Sequence, residues 1–154
     1  MKQFQGKDYL LSSPLAVSLY EKYAQDMPIF DFHCHLSPKE IYEDHHFSSL
    51  TEAWLGKNGA GDHYKWRLLR QAGVPEELIT GQADDKDRFL AFAKALPTFF
   101  GNPIYEWTHL ELKRFFGIEE ALSEKNAEEI YQRCNEILKD LTARKMMEKS
   151  DVKA

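Results

Sequence analysis

Residues 28–36 read PIFDFHCHL, and in a chain of 154 residues only this stretch reads convincingly as a β-strand, over positions 29–35. A lone strand cannot stand by itself, because its backbone N–H and C=O groups need partners. Either it pairs with another chain, or the sequence is a piece of something longer. The requirement constrains every other reading of the chain.

The rest reads as helix. Ser13-Pro14 is a start signal, with serine as cap and proline at the first helical position. Leu15, Leu19, Tyr20 and Tyr23 then recur at helical spacing and predict an amphipathic helix over 14–25. Ser37, Pro38 and Glu40 give a capping-box start for a short helix over 38–44. Ser49 and Glu52 repeat that spacing, and Gly56 stops the turn they open. The segment GKNGAG at 56–61 lacks the closing Gly-Lys-Ser/Thr of a phosphate-binding loop and reads as a plain loop. Asp62, Asp84 or Asp85, Asn102-Pro103 and a point near Ser123 open further helices. Ala127, Ile130, Cys134, Ile137 and Leu141 form the apolar stripe of the last long one, and Thr142 marks a kink.

Val152 and Ala154 read as the first residues of a second strand. The expected fold is therefore predominantly α with one clear β-strand, in three parts. Residues 1–36 hold the N-terminal helix and first strand, 37–150 a helical insertion and crossover, and 151–154 the start of a truncated second strand. A crossover of that length far exceeds a minimal β-α-β unit.

Composition excludes several function classes. Apolar residues make up 43%, enough for a core, and the formal net charge of -5 with no basic patch argues against nucleic-acid binding. No run of about 18 apolar residues suits a membrane span. MKQFQGKDYLLSS has no apolar signal-peptide region. Two distant cysteines, Cys34 and Cys134, argue against a disulfide framework and for a reduced, cytoplasmic setting.

Strand alternation places Ile29, Asp31, His33 and His35 on one face, and Phe30, Phe32, Cys34 and Leu36 on the other. Three ionisable groups on one buried face are costly unless paired or bound to something. Positions i and i+2 lie roughly 6–7 Å apart at Cα, and from there two imidazoles can converge on one divalent ion at about 2.0–2.1 Å. His33 and His35 are thus candidate metal ligands, against the plainer reading of a hydrogen-bonded polar cluster at a strand end. A catalytic zinc normally takes three protein ligands. The third must come from beyond residue 154, or from Asp31, His63 or His109 through folding. Asp31, deeper in the strand, suits a supporting role better: holding an imidazole tautomer or pairing with an arginine.

Other polar and aromatic residues have plainer expectations. His45 and His46 read as solvent-facing, and His109 as structural. Trp54, Trp66 and Trp107 read as core anchors. Cys34 and Cys134 read as buried small side chains.

Three stretches together carry a family likeness: DMPIFDFHCHLSPKEI, then LTEAWL…GDHYKWRLLRQAGV, then GNPIYEWTHLELKRFFGI, with TARKMMEKSDVKA at the end. The His-x-His motif resembles the one that ends the first strand in the metal-dependent amidohydrolase superfamily. The whole chain resembles the N-terminal third of the uronate isomerase (glucuronate isomerase) family. The resemblance implies an N-terminal fragment of a distorted (β/α)8 TIM barrel with a helical insertion after strand 1. It implies a divalent metal, usually zinc, on His33 and His35, and a substrate role for Tyr64 in GDHYKWR, with NGAG at 58–61 as a small insertion just before it. His63, as its neighbour, and Arg67 are further substrate-binding candidates. The remaining site residues of the family fall beyond residue 154.

The activity implied is aldose–ketose isomerisation of hexuronates: D-glucuronate with D-fructuronate, and D-galacturonate with D-tagaturonate. The proton moves from C2 to C1 through a cis-enediolate, with the metal stabilising oxygen charge and Tyr64 donating a hydrogen bond. The expected partners are the hexuronate and the remainder of the barrel, in the same or a separate chain. The reading leaves room for a homo-oligomer and expects no nucleic acid or membrane. Two alternatives stay open. One is an amidohydrolase whose His-x-His activates water, and the other is a non-catalytic helical domain with a vestigial motif.

Overall fold

The computed structural model describes residues 4–152. These residues form eight α-helices: α1 (Pro14–Leu19), α2 (Pro38–Glu43), α3 (Leu50–Leu55), α4 (His63–Gln71), α5 (Asp85–Ala95), α6 (Pro103–Phe116), α7 (Ala127–Leu138) and α8 (Ala143–Lys149). The chain divides into two compact units, one ending at His33 and resuming at Ser150, the other running Cys34–Lys149.

In the first unit the Ser13 hydroxyl caps α1 by accepting from the Ala16 N–H at 3.1 Å. The expected single helix over 14–25 instead changes pitch: α1 ends at Leu19 and a π-helical turn covers Tyr20–Ala24. Its apolar stripe is uncovered, with Leu15, Leu19, Tyr20 and Tyr23 all exposed.

The strand expected over 29–35 does not form. Ile29 makes one isolated parallel bridge to Val152, and the backbone beyond it has no ladder. The physical reason is the one that made the lone strand suspect. Extended backbone becomes a strand only by pairing, and Val152 is its single bridge partner among the described residues. Phe30 and Phe32, assigned to the face opposite His33 and His35, are exposed, Phe32 completely. Val152 sits where a second strand was expected to begin, whereas Ala154, named with it, lies outside the described residues.

The second unit holds the core. Helices α3, α5 and α7 pack on one another, α4 lies against α3, and α6 against α7 and α8. On α5, Phe89, Phe92 and Ala93 recur at helical spacing and are buried, followed by Leu96 in the next turn. Trp54 meets Phe89 and Phe92 with ring centroids 6.0 and 5.7 Å away, and Phe89 meets Tyr131 at 4.9 Å. Along α7 the stripe reads as expected, with Ala127, Ile130 and Cys134 buried, and Leu141 buried beyond its end. The supposed kink at Thr142 is a break between two helices.

The start signals mostly act as read. Ser37 and Glu40 form a full reciprocal capping box. Ser49 accepts from the Glu52 N–H at 3.0 Å, but the Glu52 carboxylate turns instead to the Ser48 N–H and His45 Nε2. His45 is accordingly half-buried, not solvent-facing, whereas His46 is exposed as expected, with its Nε2 2.5 Å from the Lys139 carbonyl. The unit's first and last helices are latched. The Ala143 N–H donates to the His45 carbonyl, the Arg144 N–H to Asp44 Oδ1, and the Arg144 guanidinium to the Ile41 and Tyr42 carbonyls.

Trp54 is the core anchor expected, and Trp66 is half-buried with its indole N–H on the Leu55 carbonyl at 2.7 Å. Trp107 departs from that expectation. It lies on the outer side of α6 and is 53% exposed, close to exposed Leu110. Cys34 is also exposed, because no strand turns it inward, and its thiol reaches the Leu36 carbonyl.

Candidate functional site

The GKNGAG segment determines where α4 starts. Gly56 adopts φ +77°, and a Cβ there would lie 1.9 Å from the Ala60 carbonyl oxygen, so only glycine fits. Buried Arg88 ties this loop down by donating to the Gly56 carbonyl at 3.1 Å and to the Ile79 carbonyl at 2.8 Å. The loop delivers Asp62, whose Oδ1 accepts from the N–H groups of Tyr64 and Lys65 at 2.9 and 3.4 Å. These bonds satisfy two of the donors that a helix start leaves open.

The other carboxylate oxygen, Asp62 Oδ2, lies 3.1 Å from Lys65 Nζ and 3.3 Å from His35 Nδ1. Lys65 is buried, with 7% exposure, and a buried ammonium needs such a partner. Burial opposes ionisation of Asp62. The Lys65 ammonium, the Tyr64 N–H and His35 outweigh it, and the carboxyl sits below its ordinary range. From α6, Glu111 joins the same field and accepts a hydrogen bond from the Trp54 indole. Burial pushes its carboxyl up, while Lys65 pulls it the other way.

Above this buried layer lies an exposed aromatic one. The rings of His35 and Tyr64 are stacked, 5.8 Å between centroids and 13° between planes. His63 lies against Tyr64 at 4.4 Å, and the Arg67 guanidinium sits over the Tyr64 ring at 5.8 Å. Four of the residues singled out from the sequence, His35, His63, Tyr64 and Arg67, therefore meet at the start of α4. In the other unit, the His33 backbone N–H donates to Asp31 Oδ1 at 3.1 Å, a local turn bond.

His109 is structural, as expected. Nearly buried on α6, it has Nδ1 2.7 Å from the Tyr105 carbonyl, and its Nε2 accepts from the Leu122 N–H at 3.0 Å. Among the described residues, no group of three or more His, Cys, Asp or Glu side chains is arranged to hold a metal. What fits a metal is one imidazole whose Nδ1 is already backed by a carboxylate, the usual arrangement of a ligating histidine.

Sequence reasoning missed Asp62 as more than a cap, and missed Lys65 and Glu111 altogether. A signal existed. Lys65 stands three residues after Asp62 and one turn before buried Leu69, and Glu111 interrupts an apolar run between Leu110 and Leu112.

The likeness of the chain is to isomerases of uronates. The chain belongs to the glucuronate isomerase family, whose sequence pattern matches residues 1–154. It is 58% identical over 152 residues to the uronate isomerase of Caldicellulosiruptor saccharolyticus, and 54% identical over 155 residues to that of Bacillus subtilis. Each match covers 99% of this chain and 32% of the relative, so the chain spans about a third of their length. Among solved structures, the Thermotoga maritima uronate isomerase superposes with a TM-score of 0.86 at 42% identity, covering 98% of this chain and 32% of that one. The glucuronate isomerase of Caulobacter crescentus gives 0.80 at 25% identity, over 97% and 33%. No helix among the described residues is long and apolar enough to cross a membrane.

Proposed function

We propose that this chain is the first third of a hexuronate isomerase, interconverting D-glucuronate with D-fructuronate and D-galacturonate with D-tagaturonate. In this reading it supplies the first strand and the helical insertion of a (β/α)8 barrel. The observation that carries the proposal is the meeting of His35, His63, Tyr64 and Arg67 at the start of α4. A second observation fits it. Phe30, Phe32, Leu15 and Tyr23 expose apolar surface of the kind a further part of the enzyme would cover.

The isomerisation needs four things: removal of the C2 proton, its return at C1, a shift of the double bond between them, and matching proton transfers on O1 and O2. A divalent metal, zinc by analogy, would be held by His33 and His35 with a further ligand from elsewhere, and would supply charge stabilisation to the substrate oxygens. The Tyr64 hydroxyl would donate a hydrogen bond to a substrate oxygen. Stacking on His35 holds its ring, and contact with His63 and Arg67 limits its other positions. Arg67, exposed beside Tyr64, would meet the uronate carboxylate. Asp31 shapes the turn that presents His33. The base that moves the C2 proton is assigned to the rest of the enzyme.

The test is turnover of D-glucuronate in deuterated water by the full-length enzyme that carries this segment, followed by NMR at C1 and C2. The expected outcome is isomerisation with zinc present, lowered about 10²-fold by Tyr64→Phe. The 154-residue chain alone should show no turnover. A full-length enzyme inert on both uronates, or a chain alone that matches it, refutes the proposal.

A further inference from the structure

The buried layer beneath Tyr64 has no part in the reaction as described so far, yet it is the more costly structure. Lys65 is almost entirely enclosed, and both Asp62 and Lys65 have side chains about nine-tenths buried, at 10% and 9% exposure. A capping aspartate does not require this. The two N–H groups at the start of α4 are served by Oδ1 alone, and any serine or asparagine would serve them. Oδ2 is turned the other way, into the gap between Lys65 Nζ and His35 Nδ1.

We propose that Asp62, steadied by Lys65, is the positioning residue for His35. Oδ2 accepts the His35 Nδ1–H and so selects the tautomer in which Nε2 carries the lone pair. The inference rests on His35 being a metal ligand, and it states which nitrogen takes the metal and what aims it. Lys65 has two effects here. Its ammonium keeps Oδ2 charged and an acceptor inside a half-buried site, and its bond to Oδ2 stops that oxygen rotating away. Glu111, on α6, supplies a second carboxyl in the electrostatic field of the lysine. Tyr64 is affected as well. Its stacking on His35 is near-parallel at 13°, so an imidazole fixed in plane also fixes the phenol.

Asp62→Asn is the informative variant. Capping requires an oxygen at the Oδ1 position, which places the amide N–H at the Oδ2 position, where it donates instead of accepting. The helix start is preserved and the tautomer preference is reversed. Asp62→Ser keeps the cap and removes the second oxygen, which covers the case in which the asparagine variant does not fold.

Two measurements test this. Nitrogen NMR of the 154-residue chain without metal reads the His35 tautomer. The expected result is Nδ1–H in the parent and Nε2–H in Asp62→Asn. Competition of a chelator for zinc in the full-length holoenzyme should show affinity reduced about 10- to 100-fold in both variants. An unchanged tautomer in Asp62→Asn, or zinc held as tightly as in the parent, overturns the proposal while leaving His35 a ligand. Undiminished zinc in His35→Ala overturns the metal reading itself. A capping residue without this role would move neither the tautomer nor the zinc affinity.

Discussion

Replacing His109 by alanine removes a group that joins two parts of the core. Nε2 accepts the Leu122 N–H, and Nδ1 faces the Tyr105 carbonyl one turn earlier on α6. An orphaned buried donor costs about 1–3 kcal/mol, and the space left by a buried ring adds about 2 kcal/mol. A loss of about 3–5 kcal/mol at pH 7.5 follows. The same residue also gives the fold a pH dependence. Burial holds the His109 pKa below its ordinary 6.5, with the Tyr105 carbonyl pulling weakly the other way. Below pH 6.5 the unfolded chain therefore binds a proton that the folded chain refuses. Stability rises with pH in that range and falls as pH drops, by up to about 1.4 kcal/mol per pH unit for one proton. Urea unfolding followed by tryptophan fluorescence, from pH 7.5 down to 5, measures both effects. The alanine variant should be weaker at pH 7.5 and lose stability less steeply below pH 6.5. A variant within 1 kcal/mol of the parent at pH 7.5, with the same pH slope, would refute the reasoning about His109.

Two further outcomes test the packing. Arg88→Ala should destabilise the chain by about 3 kcal/mol in the same unfolding experiment, because the Gly56 and Ile79 carbonyls lose charged donors; a change under 1 kcal/mol would show that the loop is held by other means. Burial pushes the Cys134 thiol up to about 12. Iodoacetamide at neutral pH should therefore label exposed Cys34 alone until denaturant is added, and early labelling of Cys134 would count against its placement in the core.

Much of the helical unit was legible because its signals are local. Ser37 with Glu40, Asp62 and Asn102-Pro103 act within four residues of themselves, and the structure uses each as read. The Ile29–His35 strand was not legible in the same way. Its sequence carries the side-chain pattern of a strand but not the neighbouring strand that would make it one, and among the described residues only Ile29 makes a β-bridge. The site was half legible. Tyr64, His63 and Arg67 could be found from the likeness of GDHYKWR. The link from Asp62 to His35 joins residues far apart in sequence, and nothing in either residue's surroundings announces the other. Trp107 fails for a related reason. Its helix offers both an inner and an outer side, and residue type alone does not choose between them.

The latch between α2 and α8 has a consequence for how such a chain is built into a larger one. Arg144 and Ala143 tie the last helix of the unit to Ile41, Tyr42, Asp44 and His45 at its start. Entry and exit are thus side by side, and to any polypeptide that carries it the whole unit has the footprint of a short turn. Helices between those two ends can be lengthened, trimmed or exchanged over evolutionary time without prying the host apart. The same property makes the unit a cartridge that protein engineers could lift out and seat in another host at one point of attachment.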